Sequence, residues 1–470
     1  MTELIYNKTN MIPEDNELFI KNARIIDPAQ GIDTRDDILI RNGTIRSIGK
    51  TDTGGNFPVE RDVKESNSAG KTVTGNKNTK PLAALKGKTV IIDADGLIAC
   101  PSFFDMHVHL REPGNEEEED IESGINAAAH GGFSSLCCMP NTEPPIDNEY
   151  LVKYIINRSK EFDFEVYPVA AMTKKLEGTE MTDFGLLKEN GAIALSDDGR
   201  CVQEPKLMYE IMKYASYFDI PLILHEEDYS FSKSGLMHEG YFSSKLGLDG
   251  ISSLSEILMI QRDIEFAKRT KAKVHFTHIS AMESVRLIKM AKEDGLPVTC
   301  DVTPHHLVFD DSSLEKYDAT FKINPPLRSS RDRQALEEGI RNGIIDIIAS
   351  DHAPHLEAEK NTTVKSAANG VTGLETMFAC AFTKLCRDSR LGIDRLINIL
   401  SVKPRKILGI NPPSIKQGEK AEITLFDPES WRIIDDGFFN SKSKNSAFKG
   451  QKLYGMVCAT VNGKKVRINN

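Results

Sequence analysis

Asp105-Met106-His107-Val108-His109-Leu110-Arg111-Glu112-Pro113-Gly114 follows an apolar run, Gly96-Leu97-Ile98-Ala99-Cys100, that reads as a buried strand. Side chains alternate across a pleated strand, so His107 and His109, two positions apart, face the same side. At a strand's end both imidazoles reach one metal ion. Arg111, close behind them, carries a planar cationic fork suited to a carboxylate. The decapeptide points to metal chemistry on an anionic molecule.

Beyond this stretch, strand and helix alternate about eight times between residues 89 and 411. After the opening strand, apolar runs recur at 134–139, 164–170, 192–196, 221–225, 274–278, 298–302 and 344–350. Helical spacing lies between them, as at 207–217 and 253–270. Such a series predicts an α/β fold, a closed (β/α)8 TIM-like barrel rather than an open doubly wound sheet. Catalytic groups in these barrels sit at the C-terminal ends of the strands.

Six candidate ligands meet that rule. His107 and His109 end the first strand, and Asp198 follows the fourth in Ser196-Asp197-Asp198-Gly199. His225 ends the fifth, His278 the sixth and Asp351 the eighth. Imidazole and carboxylate without thiolate suit zinc or a similar divalent ion, and six ligands suffice for two ions sharing a bridge. Other polar residues have plainer readings. Asp197 shapes an Asp-Gly turn, and His275, three residues before His278, faces the core. His130 caps a helix C-terminus before Gly131-Gly132, and His305-His306 take a peripheral or supporting role. Glu116-Glu117-Glu118-Glu119 reads as a solvated first helical turn, and Cys137-Cys138 as barrel packing.

The two ends have a different texture, of short strands and tight turns. Asn42-Gly43 and Asn462-Gly463 are hairpin signals. One small β-sandwich domain is therefore expected from both termini, its N-terminal part at 1–95 and its C-terminal part at 412–470, around a barrel at 96–411. Residues 51–88, rich in Gly, Asn, Thr and Lys, read as a mobile insertion. The segment 357–369 reads as a mobile lid.

With 470 residues, 40% of them hydrophobic and 27% charged, the composition is that of a soluble globular protein. A net charge of −10 argues against nucleic-acid or anionic-membrane partners. No apolar run spans a bilayer, and residues 1–13 lack a signal-peptide core. The eight cysteines contain no Cys-x-x-Cys pair and suit a reducing compartment, so a cytoplasmic protein is expected.

The motifs also carry a resemblance. His107-Val108-His109-Leu110-Arg111-Glu112-Pro113-Gly114, Met139-Pro140-Asn141-Thr142 and Ser196-Asp197-Asp198-Gly199 match those of class I dihydroorotases in the amidohydrolase superfamily. So do Thr303-Pro304-His305-His306, Ile323-Asn324-Pro325-Pro326-Leu327-Arg328 and Asp351-His352-Ala353-Pro354-His355. Gly373-Leu374-Glu375-Thr376 and Ser441-Lys442-Ser443-Lys444-Asn445 complete the set. The resemblance implies zinc-dependent, reversible cyclisation of N-carbamoyl-L-aspartate to L-dihydroorotate in pyrimidine biosynthesis, with one or two zinc ions per subunit. By similarity His107, His109 and Asp351 hold one zinc, with His225 and His278 near a second.

Asp198 stands where relatives carry a carboxylated lysine, and no lysine occurs in 191–196. Arg111, Asn141 and His355 would bind the substrate carboxylate, Asn324 the ring, and Asp351 would carry the proton. A small-molecule substrate, a homodimer and an association with aspartate transcarbamoylase are expected. The chain departs from the family at Ala367-Ala368-Asn369-Gly370, at Lys403 and in the insertion. Two competing readings are another cyclic amidase, such as an allantoinase or hydantoinase, and a non-catalytic assembly scaffold. Arg111 after His-x-His-Leu counts against the first, and the filled ligand positions count against the second.

Overall fold

In the computed structural model, which describes residues 10–11, 17–49, 83–86 and 89–469, the apolar runs of the middle pair in chain order. The eight strands are Phe103–Val108, Phe133–Cys138, Glu165–Ala171, Ala194–Ser196, Leu222–Leu224, Val274–Phe276, Val298–Val302 and Ile347–Ile348. All seven neighbour pairings in this sheet are parallel. A parallel bridge between Val108 and His352 joins the last strand's end to the first. The His109 N–H donates to the His352 carbonyl at 2.9 Å. The result is a nearly closed barrel with helices outside, as the alternation predicts. Helices at Pro205–Tyr217 and Leu254–Thr270 match the helical spacing to within a few residues.

The second sheet has ten strands drawn from both termini. Asn42 and Gly43 both take positive φ, 52° and 72°, the backbone that a two-residue hairpin demands. This turn packs on the other hairpin. A Cβ on Gly43 would lie 2.8 Å from the Gly463 carbonyl carbon, so the two Asn-Gly turns touch. The sheet bends until Thr44 bridges Lys420 and encloses its own core of Leu18, Ile20, Ile40, Ile423, Leu425 and Val461.

Four expectations need correcting. The run Gly96-Leu97-Ile98-Ala99-Cys100 does not lead the barrel. Its strand, Ile98–Pro101, pairs with Glu422–Ile433 and Glu17–Asp27 in the second sheet, and the barrel begins at Phe103. A short run buried on both faces suits either sheet, and only distant partners choose between them. The acidic run is not a solvated helical turn. The helix Ile121–Gly131 starts after the Asp120 cap, and Glu119 is fully buried, accepting from the Ser441 hydroxyl and lying 3.2 Å from His352 Nε2.

The 357–369 segment is folded rather than loose. A helical turn at Glu357–Lys360 buries the Lys360 ammonium, which donates to the carbonyls of Lys322 and Ala368. The helix end at Gly132 is capped by its own backbone, whereas His130 bonds Glu375 at 2.7 Å. The insertion at 51–88 lies outside the described residues, apart from the strand Ala83–Lys86. All eight cysteines are unpaired thiols. Among the described residues no helix is long and apolar enough to cross a membrane.

Candidate metal centre

The six expected ligands converge at one end of the barrel, each at or just past a strand's C-terminus. All are buried. His107 Nε2 lies 3.3 Å from Asp198 Oδ1 and 3.6 Å from Asp351 Oδ1. His109 Nε2 lies 3.5 Å from Asp198 Oδ2 and 3.2 Å from Asp351 Oδ1. On the far side of Asp198, its Oδ1 is 3.5 Å from His278 Nε2 and 4.0 Å from His225 Nδ1. These two imidazole nitrogens are 3.1 Å apart. The side chains therefore form two groups that share Asp198, His107–His109–Asp198 and Asp198–His225–His278. Asp351 closes the first. His278 and Asp351 hold φ of 37° and 47°, strained backbone of the kind that clusters at functional sites.

Hydrogen bonds behind three of the imidazoles fix which nitrogen faces inward. Thr277 gives its hydroxyl proton to Asp301 at 2.9 Å, so its oxygen accepts from His107 Nδ1–H at 2.7 Å. His109 Nδ1–H donates to Asn141 Oδ1 at 2.8 Å. His225 Nε2–H donates to Glu227 Oε2 at 3.0 Å. In each case the other nitrogen is the one turned toward the centre, where it can offer a lone pair to a cation, the arrangement that outer hydrogen bonds impose on metal-binding histidines.

Carboxylate oxygens and the inward nitrogens thus face one another, at distances from 3.2 Å (His109 to Asp351) to 4.0 Å (His225 to Asp198). His107 Nε2 and Asp198 Oδ1 are buried with no hydrogen-bond partner among the described residues. Such a set calls for a cation. Burial opposes charge on His107, yet the Asp198 carboxylate pushes its pKa up to about 10. Burial likewise opposes the Asp351 carboxylate, but its bond to His109 and the nearby His107 hold it far below the usual range. The pocket keeps its carboxylates ionised and favours positive charge between them.

The expected substrate-binding residues ring this centre, with partners that spacing did not show. Arg111, at φ 61°, sets its Nε 2.9 Å from Glu118 Oε2. Nε and Nη2 both donate to the Pro354 carbonyl. Among the described residues no protein acceptor takes Nη1, which leaves that edge for a ligand. His355 donates from Nε2 to the Asn369 carbonyl at 2.7 Å. Asn141 spends its oxygen on His109, and Asn324 donates from Nδ2 to Glu227 Oε2 at 3.1 Å. Glu227, Asn324 and Asn369 share the wall of a cavity of about 400 Å3, a volume suited to a small molecule.

Sequence reasoning missed Glu227, Thr277, Asp301 and Glu118. Glu227 stands two residues after the expected ligand His225, a spacing that could have flagged it. Asp301, on the seventh strand, accepts from His275 Nε2, the Thr277 hydroxyl and the His278 N–H. His275 is buried, as expected, and its ring is one bond behind the centre. Asp197 accepts two backbone N–H groups and the Thr173 hydroxyl. These bonds anchor the turn.

The chain is similar to known proteins in sequence and in fold. A dihydro-orotase-like family model matches residues 96–284. The chain is 43% identical to a dihydroorotase of Caldicellulosiruptor saccharolyticus over 450 residues, 95% of this chain and 97% of the relative. It is 42% identical to one from Acetivibrio thermocellus, over 96% and 98% of the two chains. In fold it is similar to an L-hydantoinase of Arthrobacter aurescens, with a TM-score of 0.79, 23% identity and 96% of each chain covered. A dihydropyrimidinase of Brevibacillus agri gives a TM-score of 0.74 at 20% identity, over 97% and 95% of the two chains.

Proposed function

Because this chain belongs to the dihydroorotase family, we propose that its barrel-end site interconverts N-carbamoyl-L-aspartate and L-dihydroorotate, a step of pyrimidine biosynthesis. One observation carries the reading: two buried imidazole–carboxylate groups share Asp198, with the free guanidinium edge of Arg111 nearby. The donor set fits zinc, since it offers nitrogen and oxygen in small clusters and no thiolate. His107, His109, Asp198 and Asp351 would hold one ion, and Asp198, His225 and His278 a second. Zinc bound there polarises the amide carbonyl and acidifies water near neutral pH.

The chain's own residues do the rest. Asp351, ionised and at the ligand cluster, takes a proton from the attacking water and hands it to the leaving ring nitrogen. In the cyclisation direction it moves the proton back. Arg111 grips the substrate carboxylate through its unpaired edge and so holds the reacting carbonyl in place. His355, whose Nε2–H is taken by the Asn369 carbonyl, can reach the substrate only by giving up that bond. Asn141 serves chiefly by orienting His109, and Asn324 presents its amide to the ring. Zinc as the resident metal, a homodimer, an association with aspartate transcarbamoylase and a cytoplasmic location complete the proposal.

Turnover assays with dihydroorotate, allantoin and hydantoin test the reading, with metal content measured on the same samples. Activity on dihydroorotate is expected, and activity confined to the other two would overturn it. Arg111→Met removes a charge-assisted bond worth about 1.5–3 kcal/mol. We expect kcat/KM for dihydroorotate to fall roughly 10- to 100-fold, mainly through KM. An unchanged KM would remove Arg111 from the substrate's carboxylate.

A further inference from the structure

Glu227 holds two groups that belong to different parts of the reaction. It stands two residues beyond His225, in the loop that leaves the fifth strand. A single oxygen, Oε2, accepts from His225 Nε2–H at 3.0 Å and from Asn324 Nδ2 at 3.1 Å. His225 belongs to the second ligand group. Asn324 comes from a distant loop, between the seventh and eighth strands, and lines the cavity beside Glu227. The carboxylate is mostly buried, with 15% of its side chain exposed, so water competes little for either bond.

Three consequences follow from this geometry. The bond from Nε2 fixes the His225 ring and turns Nδ1 toward His278 and Asp198, at 3.1 and 4.0 Å. The negative charge behind the ring makes the inward nitrogen a stronger donor to a cation. The same oxygen draws the Asn324 amide to the cavity wall, which leaves the second N–H of Nδ2 for a ligand in the cavity. Among the described residues the His225 ring has one other hydrogen-bond contact, Nδ1 to His278 Nε2 at 3.1 Å, and the Asn324 amide has no other partner.

We propose that Glu227 is a positioning residue that sets both the hold of His225 on the second metal ion and the placement of Asn324 against the substrate. The proposal rests on the dihydroorotase reading above. It makes loading of the second ion and binding of the ring depend on one carboxylate. The first ion, on His107 and His109, is independent of it.

Glu227→Gln is the direct test, because it keeps the shape and removes the charge. Metal-free protein is titrated with Zn2+ by calorimetry, and bound metal is counted after dialysis. The wild type should take up two ions. The variant should bind the first as before and the second about 10- to 100-fold more weakly. With both sites saturated, KM for dihydroorotate should rise several-fold while kcat changes less. A merely structural role would lower the melting temperature and leave the two ions' relative affinities alone.

If Glu227→Gln does not fold, Glu227→Asp, which keeps the charge but shortens its reach to His225 and Asn324, should also weaken the second ion. Unchanged second-ion affinity in a folded variant overturns the proposal. A wild type that turns over dihydroorotate with one ion only overturns it too, and leaves the proposed function standing. A wild type with neither metal nor turnover overturns both.

Discussion

Asp351→Asn lowers turnover of dihydroorotate by about 10²–10⁴-fold, the range expected when a positioned acid–base group is lost. The substitution keeps the shape of the side chain and the loop after the eighth strand, so the chain still folds. It removes a group whose Oδ1 stands 3.2 Å from His109 Nε2 and 3.6 Å from His107 Nε2. The imidazoles beside it hold the Asp351 carboxyl far below its ordinary pKa despite burial. It is therefore ionised at neutral pH, the form in which a proton carrier must start, whereas an amide accepts no proton under these conditions. Steady-state kinetics with a metal count on the same protein separates loss of the proton carrier from loss of the ion. A variant with full metal and undiminished turnover would take the proton step away from Asp351.

Arg405→Lys destabilises the fold by about 3–5 kcal/mol, the cost of leaving a buried charge and its acceptors poorly paired, while the folded fraction keeps its activity. Arg405 is among the largest fully buried side chains. Nη1 donates to the carbonyls of Ser102 and Ser401 at 2.9 and 3.0 Å. Nη2 donates to Ser134 Oγ and Ser135 Oγ at 3.1 and 3.2 Å. The guanidinium also lies over the Phe104 ring, 5.1 Å from its centroid. It ties the starts of the first two barrel strands to the helix Lys403–Ile407, at the end opposite the ligands. One ammonium cannot span these acceptors, because lysine lacks the planar fork. Calorimetric melting is the check. A melting temperature equal to wild type would mean that the acceptors find other donors.

Several features were legible in the chain because their causes are local. Asn-Gly pairs need positive φ at two successive positions, and the structure has it at Asn42 and Gly43. Apolar runs spaced by helical periodicity become parallel strands in chain order. His107 and His109 face one way because a strand alternates, whatever surrounds it.

Other features have causes that lie hundreds of residues away. Ile98–Pro101 joins the second sheet through Glu422–Ile433. Glu119 is buried because His352 and Ser441 reach it from the far end of the chain. Four glutamates in a row read as solvent-exposed when those partners are out of sight. Asn141 and Asn324 look alike as polar loop residues. Only the fold shows that one orients His109 and the other meets Glu227.

The sequence by itself determined the barrel, the end of it that carries the chemistry, and the residue types available there, since periodicity and strand-end placement act within single elements. Tertiary structure alone decided that Asp198 lies between two pairs of histidines and which nitrogen each supported ring turns inward. It also decided that Glu118 claims one edge of Arg111 while the other stays open. Those outcomes depend on side chains from separate strands meeting at 3–4 Å, and barrel closure sets that distance, which no local pattern encodes.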